Sequence, residues 1–163
     1  MRPRLYLETT LFNYYFLEDP RRAEDIEATH LLFDQVKQGL FEPYVSDLTI
    51  AELEKCPELT LRKKMFNLIK QYEIESIWLE DFSQCEQLSD KYIKAGAIPL
   101  SKRNDALHIA WATLGLTDIL VSWNQEHIVR FNTQTIVKTI NAIEGLPEIV
   151  INTPKEVVVY EKR

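Results

Sequence analysis

Three carboxylates and one amide stand where their side-chain chemistry needs a reason. Glu8 directly follows the apolar run Leu5-Tyr6-Leu7, and Thr9 and Thr10 follow it. A charge at the rim of a core is costly unless something pairs with it. Glu52 lies in TIAELEK, three residues after Thr49, the spacing of a capping box that opens a helix. Asp105 lies beside Asn104 at the start of NDALHIAWA, and Asn124 follows the apolar run DILVSW. Acids in the first turn of a helix are favoured by its dipole, which gives Glu52 and Asp105 a structural explanation. Glu8 has none, because the end of a strand needs no cap. Gathered carboxylates repel one another, and a hard divalent cation removes that conflict. Mg²⁺ or Mn²⁺ takes oxygen ligands and keeps several waters, so few carboxylates suffice. Such an ion lowers the pKa of water and offsets charge on a phosphate. Oxygen donors without His or Cys ligands therefore point to phosphodiester chemistry.

The elements that would position these groups alternate along the chain. RLYL (4–7) reads as a strand, and Ala23 to about Gln38 as a helix stopped by Gly39. EPYVSD (42–47) is a second strand, running into the TIAELEK helix. RKKMFNLIKQY (62–72) is helical, ESIWLE (75–80) a third strand, and Asp81 or Ser83 suits the cap of a helix ending near Gly96. NDALHIAWATLGL (104–116) is an apolar helix, and DILVSW (118–123) has the continuous apolar character of a strand buried on both faces. A helix over Gln134–Glu144 and a strand EIVI (148–151) close the pattern, and TPKEVVVY carries both helix and strand signals. Strands alternating with helices give right-handed crossovers and a mainly parallel sheet of about five strands with helices on both faces. Ligands of such sheets bind beyond the carboxyl ends of the strands, and Glu8 sits at one of them.

Length and composition restrict the alternatives. A chain of 163 residues with 45% hydrophobic and 27% charged residues reads as one globular domain, 1–163. No apolar run is long enough for a membrane span, and Glu8 interrupts any secretory core, so a cytoplasmic protein is expected. Cys56 and Cys85 have neither CxxC spacing nor neighbouring His, and read as reduced thiols. The net charge of −6 argues against a generally basic nucleic-acid surface. Lys102 and Arg103, just ahead of Asp105, are the basic residues best placed for substrate phosphates. His108, three residues past Asp105, sits among apolar neighbours and reads as a satisfied core histidine, and His127 as a supporting residue near Asn124. Phe12, Tyr14, Tyr15 and Phe16 read as packing aromatics.

Four segments together, YLETTLF, VSDLTIAELEK, NDALHIAWA and DILVSWNQEHI, resemble the motifs of PIN-domain ribonucleases, in bacteria commonly VapC-type toxins of toxin–antitoxin pairs. The resemblance extends to the closing GLPEIVINTPKEV. It implies a single PIN-like α/β domain and a Mg²⁺- or Mn²⁺-dependent ribonuclease. The metal would be held by Glu8, Glu52 and Asp105, with Asn124 as the fourth site residue. It further implies RNA as substrate, an antitoxin protein as partner and a homodimer. Glu8 and Asn124 stand where the family usually carries Asp. A catalytically impaired PIN-like module that binds RNA or protein is the alternative. A small-molecule phosphohydrolase would need similar metals and a closed pocket.

Overall fold

The computed structural model describes residues 1–160. Five strands, β1 (Arg4–Leu7), β2 (Glu42–Val45), β3 (Glu75–Ser76), β4 (Ile119–Val121) and β5 (Val150–Asn152), form one sheet in the order β3-β2-β1-β4-β5. Every pairing is parallel. β1 lies in the centre, between β2 and β4, and the direction of strand progression reverses around it. Eight α-helices are described: α1 (Thr10–Tyr15), α2 (Ala23–Lys37), α3 (Asp47–Glu54), α4 (Leu59–Gln71), α5 (Phe82–Lys94), α6 (Arg103–Leu114), α7 (Phe131–Ile143) and α8 (Pro154–Val157).

Successive strand residues face opposite sides, and this alternation divides the core in two. Leu5 and Leu7 of β1, with Val45 and Val121, pack with Phe12, Leu32, Phe33 and Leu68 beneath α1, α2 and α4. Tyr6 and Leu120 face the other way, among Tyr92, Ile109, Val137 and Ile151 beneath α5, α6 and α7. A sheet buried on both faces needs strands that are apolar throughout, which Leu-Tyr-Leu and Ile-Leu-Val provide.

Several boundaries differ from the sequence expectation for identifiable reasons. The second strand stops at Val45, because Ser46 caps α3: its hydroxyl accepts from the Thr49 amide at 3.3 Å. Thr49 and Glu52 are thus inside that helix and form no capping box. DILVSW contributes only Ile119–Val121, since Ser122 and Trp123 turn to other partners. ESIWLE shrinks to Glu75–Ser76 and then leaves the sheet. TPKEV resolves as the short helix α8, with the Thr153 amide donating to the Glu156 carboxylate. α6 approaches the β3 edge so closely that a Cβ on Gly115 would lie 2.7 Å from the Ile77 side chain, which explains a glycine there. No helix among the described residues is long and apolar enough to cross a membrane.

Both cysteines are free, and they differ in access. Cys85 is wholly buried between α5 and α6, and burial, aided by the Glu86 charge, pushes its thiol up to about 12. Cys56 is partly exposed. Since the thiolate is the reactive form, Ellman's reagent at pH 8 should label Cys56 alone in the native protein and Cys85 only after denaturation. Rapid native labelling of both would contradict this packing.

Candidate metal centre at the carboxyl edge of the sheet

The strand alternation that turns Tyr6 toward α6 also carries Glu8 to that side, one step past the end of β1. The Glu8 amide extends the ladder by donating to the Val121 carbonyl at 3.1 Å. Its carboxylate is buried, and one oxygen, Oε1, accepts from the Ser122 hydroxyl at 2.6 Å and the Thr10 hydroxyl at 2.5 Å. Both hydroxyls are held in turn. Ser122 Oγ accepts from the Asn124 amide at 2.9 Å, and Thr10 Oγ1 from the Trp123 amide at 2.9 Å. Ser122 and Thr10 therefore join β4 to the end of β1 through Glu8.

Glu52 reaches the same edge from the second turn of α3. Its Oε1 accepts from the Thr9 hydroxyl at 2.8 Å and from His108 Nε2. His108 is fully buried on α6, one turn beyond Asp105, and its Nδ1 lies 2.7 Å from the Tyr6 hydroxyl. Tyr6 also reaches Ser46 Oγ at 2.7 Å. A continuous chain of hydrogen bonds thus runs from the cap of α3 through Ser46, Tyr6 and His108 back to Glu52 on the same helix. A carboxylate only accepts, so His108 Nε2 donates. In the neutral ring, Nδ1 then accepts from Tyr6, and every member of the chain is satisfied.

Asp105 completes the acidic edge from the first turn of α6. Asn124 lies beside Asp105 and acts to lower its proton affinity, while its Oδ1 accepts from the His127 amide at 3.0 Å. Burial raises the Glu8 pKa, and the His108 charge with the Ser122 and Thr10 bonds offsets this only in part. Burial likewise raises Asp105 against the Asn124 bond. For Glu52 burial acts upward too, but the His108 bond and charge outweigh it and hold the carboxyl below its ordinary value. Burial would lower His108, yet the Glu52 bond and the charges of Glu8, Glu52 and Asp105 raise it. Burial therefore raises the proton affinity of Glu8 and Asp105, while His108 lowers that of Glu52.

The candidates named from sequence fall as follows. Glu8, Glu52, Asp105 and Asn124 come from four separate stretches and lie near one another at the carboxyl edge of the sheet. Arg103 turns away from it, ion-paired with Asp90 at 2.6 Å and lying 3.9 Å from Glu86, both on α5. Lys102 is exposed at the end of a single 3₁₀ turn. Of the aromatics, Phe12 is core, Tyr15 packs on Phe33, and Tyr14 stacks on Trp123 at 5.2 Å between centroids. The sequence did not reveal Tyr6, Ser46, Thr9 and Ser122 as parts of the site. The hydroxyls flanking Glu8 and Asn124 were the available signal.

Among the described residues no three His, Cys, Asp or Glu side chains form a ready cluster for a metal ion. The donor chemistry nonetheless suits one. Glu8 and Glu52 each spend one oxygen on hydroxyl or imidazole donors, and no hydrogen bond from the described residues goes to either Oε2. With Asp105 they make an all-oxygen set of the type that holds Mg²⁺ or Mn²⁺. The clefts of about 260 to 760 Å³ described elsewhere on the surface are not lined by these carboxylates.

No protein-family model matches the sequence, and no curated protein matches it. A chain of VapBC2 from Rickettsia felis, solved as a crystal structure bound to a DNA fragment from its promoter, is similar in structure. The similarity has a TM-score of 0.51 and covers 92% of this chain and 98% of that chain, at 13% identity. At that identity it concerns the fold alone: the α/β fold of this chain, a parallel five-stranded sheet flanked by helices, is similar to that of the VapBC2 chain.

Proposed function

We propose that the protein is a metal-dependent endoribonuclease of PIN type. The observation that supports this reading is that Glu8 at the end of β1, Glu52 on α3 and Asp105 on α6 all lie within electrostatic reach of the buried His108. Glu8, Glu52 and Asp105 would hold Mg²⁺ or Mn²⁺, which when bound supplies an activated water and charge stabilisation at a phosphate. The chain's own residues do the positioning. Ser122 and Thr10 fix Glu8, His108 and Thr9 fix Glu52, and Asn124 steadies Asp105. None of the clefts described encloses these carboxylates, which favours a polymer such as RNA over a small phosphate ester as substrate. Lys102, without an ion pair among the described residues, is the candidate phosphate contact. The structural likeness to a VapBC2 chain supports an antitoxin-type partner for this protein as well.

Calorimetry with Mn²⁺ tests the site. Micromolar binding is expected for the wild type and at least a tenfold loss for Asp105→Asn, with chelator-sensitive cleavage of a mixed-sequence RNA by the wild type only. Absence of binding at millimolar Mn²⁺ would overturn the proposal. The alternative, a PIN-like binding module without cleavage, would then lead, favoured by an Asn124 oxygen already committed to the His127 amide.

A further inference from the structure

Beyond β3 the chain presents an apolar surface that the carboxylate site does not use. Trp78 is 80% exposed and Phe82 43% exposed, unusual values for such large apolar side chains. Two adjoining clefts share Trp78 and Leu79. One, about 320 Å³, is completed by Asp47, Phe82 and Trp111. The other, about 560 Å³, is completed by Glu80, Asp81, Gln84 and Leu114. Phe82 lies against Trp111 with ring centroids 5.2 Å apart, so the floor is aromatic. The rim is acidic. Asp47, Glu80 and Asp81 line the two clefts, and neither cleft is lined by a Lys or Arg.

We propose that this trough docks a basic, apolar segment of another protein, with an arginine or lysine set over the Trp78–Phe82–Trp111 floor. Aromatic faces attract cations, and nearby carboxylates strengthen that preference. An exposed apolar patch rimmed by charge is the usual appearance of an interaction surface. Nucleic acid is disfavoured, because the rim repels phosphates. A second copy of this chain is disfavoured too, since a two-fold contact would set Asp47, Glu80 and Asp81 against themselves. The inference does not depend on metal binding or catalysis.

The three tryptophans give the test its own control. A synthetic amphipathic helix of Leu and Arg would be titrated into the full-length protein while the indole N–H resonances are followed by NMR. Trp78 and Trp111 are expected to shift. Trp123, whose indole donates to Thr29 Oγ1 at 2.8 Å inside the core, should stay in place. Trp78→Ser, at an exposed position, should weaken the affinity at least tenfold, as should Glu80→Gln combined with Asp81→Asn. Equal binding of a Leu and Glu helix, or unchanged affinity in Trp78→Ser, would overturn the proposal. So would concentration-dependent shifts of Trp78 without peptide, which would assign the patch to self-association.

Discussion

Replacing His108 by alanine is expected to cost about 3–5 kcal/mol of folding stability, the scale of breaking one partner out of a buried pair. The ring is fully buried and bonded through both nitrogens, to Glu52 and to Tyr6. Alanine leaves a cavity and takes from Glu52 the donor that outweighs its burial. At roughly 2–4 °C per kcal/mol for a chain of this size, thermal melts should fall by roughly 10 °C. The loss should depend on pH. Because the folded-state pKa of His108 is raised, its stabilising contribution is fully present below its ordinary value of 6.5. That contribution is lost as pH climbs through the raised value. Glu52 works in the opposite sense, with stability present above its ordinary 4.5 and lost as pH falls through its lowered folded value. The gap between wild type and His108→Ala should therefore be widest near pH 6 and narrow toward pH 9. His108→Gln, which keeps an N–H donor for Glu52, should recover part of the stability and show little of this pH dependence. A gap that is constant from pH 6 to 9 would mean that His108 stabilises by filling space alone.

That pair also marks the limit of what one sequence discloses. Alternation of strand and helix was legible, because Leu-Tyr-Leu and Ile-Leu-Val are apolar enough for a sheet covered on both sides. Gly39 and Gly96, both at positive φ, were legible as helix ends. The position of Glu8 just past the carboxyl end of β1 was legible too, because the apolar run Leu5-Tyr6-Leu7 ends there. The bond between Glu52 and His108 was not, because it joins residues 56 apart in the chain and needs the sheet order to bring α3 beside α6. Local rules also misassigned Glu52. A serine, a threonine and a glutamate stood within reach of one another, and Ser46 took the cap that Thr49 was expected to make. α1 went unread because Thr-Leu-Phe-Asn-Tyr-Tyr has weak intrinsic helix preference, and burial of Leu11 and Phe12 decides its conformation. Strand lengths were overread at Ser46 and Ser122 for one reason. Hydroxyls that leave the ladder are the groups that hold the site together.

Glu8→Gln is expected to move stability and function in opposite directions. Glu8 is 4% exposed, and its bonded partners are neutral hydroxyls. Its pKa is raised by burial, so the folded state binds that proton more tightly than the unfolded chain does. Stability then declines as pH rises from the ordinary 4.5 through the raised value, because ionising the buried group opposes folding. Glutamine keeps the shape, and its carbonyl oxygen still accepts from Ser122 and Thr10. Only the charge is removed. Without added metal the variant should gain about 0.5–2 kcal/mol, within the range by which relieving a costly functional group stabilises a protein. Melting in chelator should rise by a few degrees, and the decline from pH 5 to 8 should flatten. The same charge is what a divalent cation would need, so Mn²⁺ should stabilise the wild type and leave Glu8→Gln nearly unaffected. RNA cleavage should drop on the order of a hundredfold or more, as when a group that stabilises transition-state charge is removed. A variant that melts lower than wild type in chelator would show that the attraction of His108 exceeds the burial cost. Glu8 would then belong to the scaffold, and the carboxylates best placed for metal would be Glu52 and Asp105.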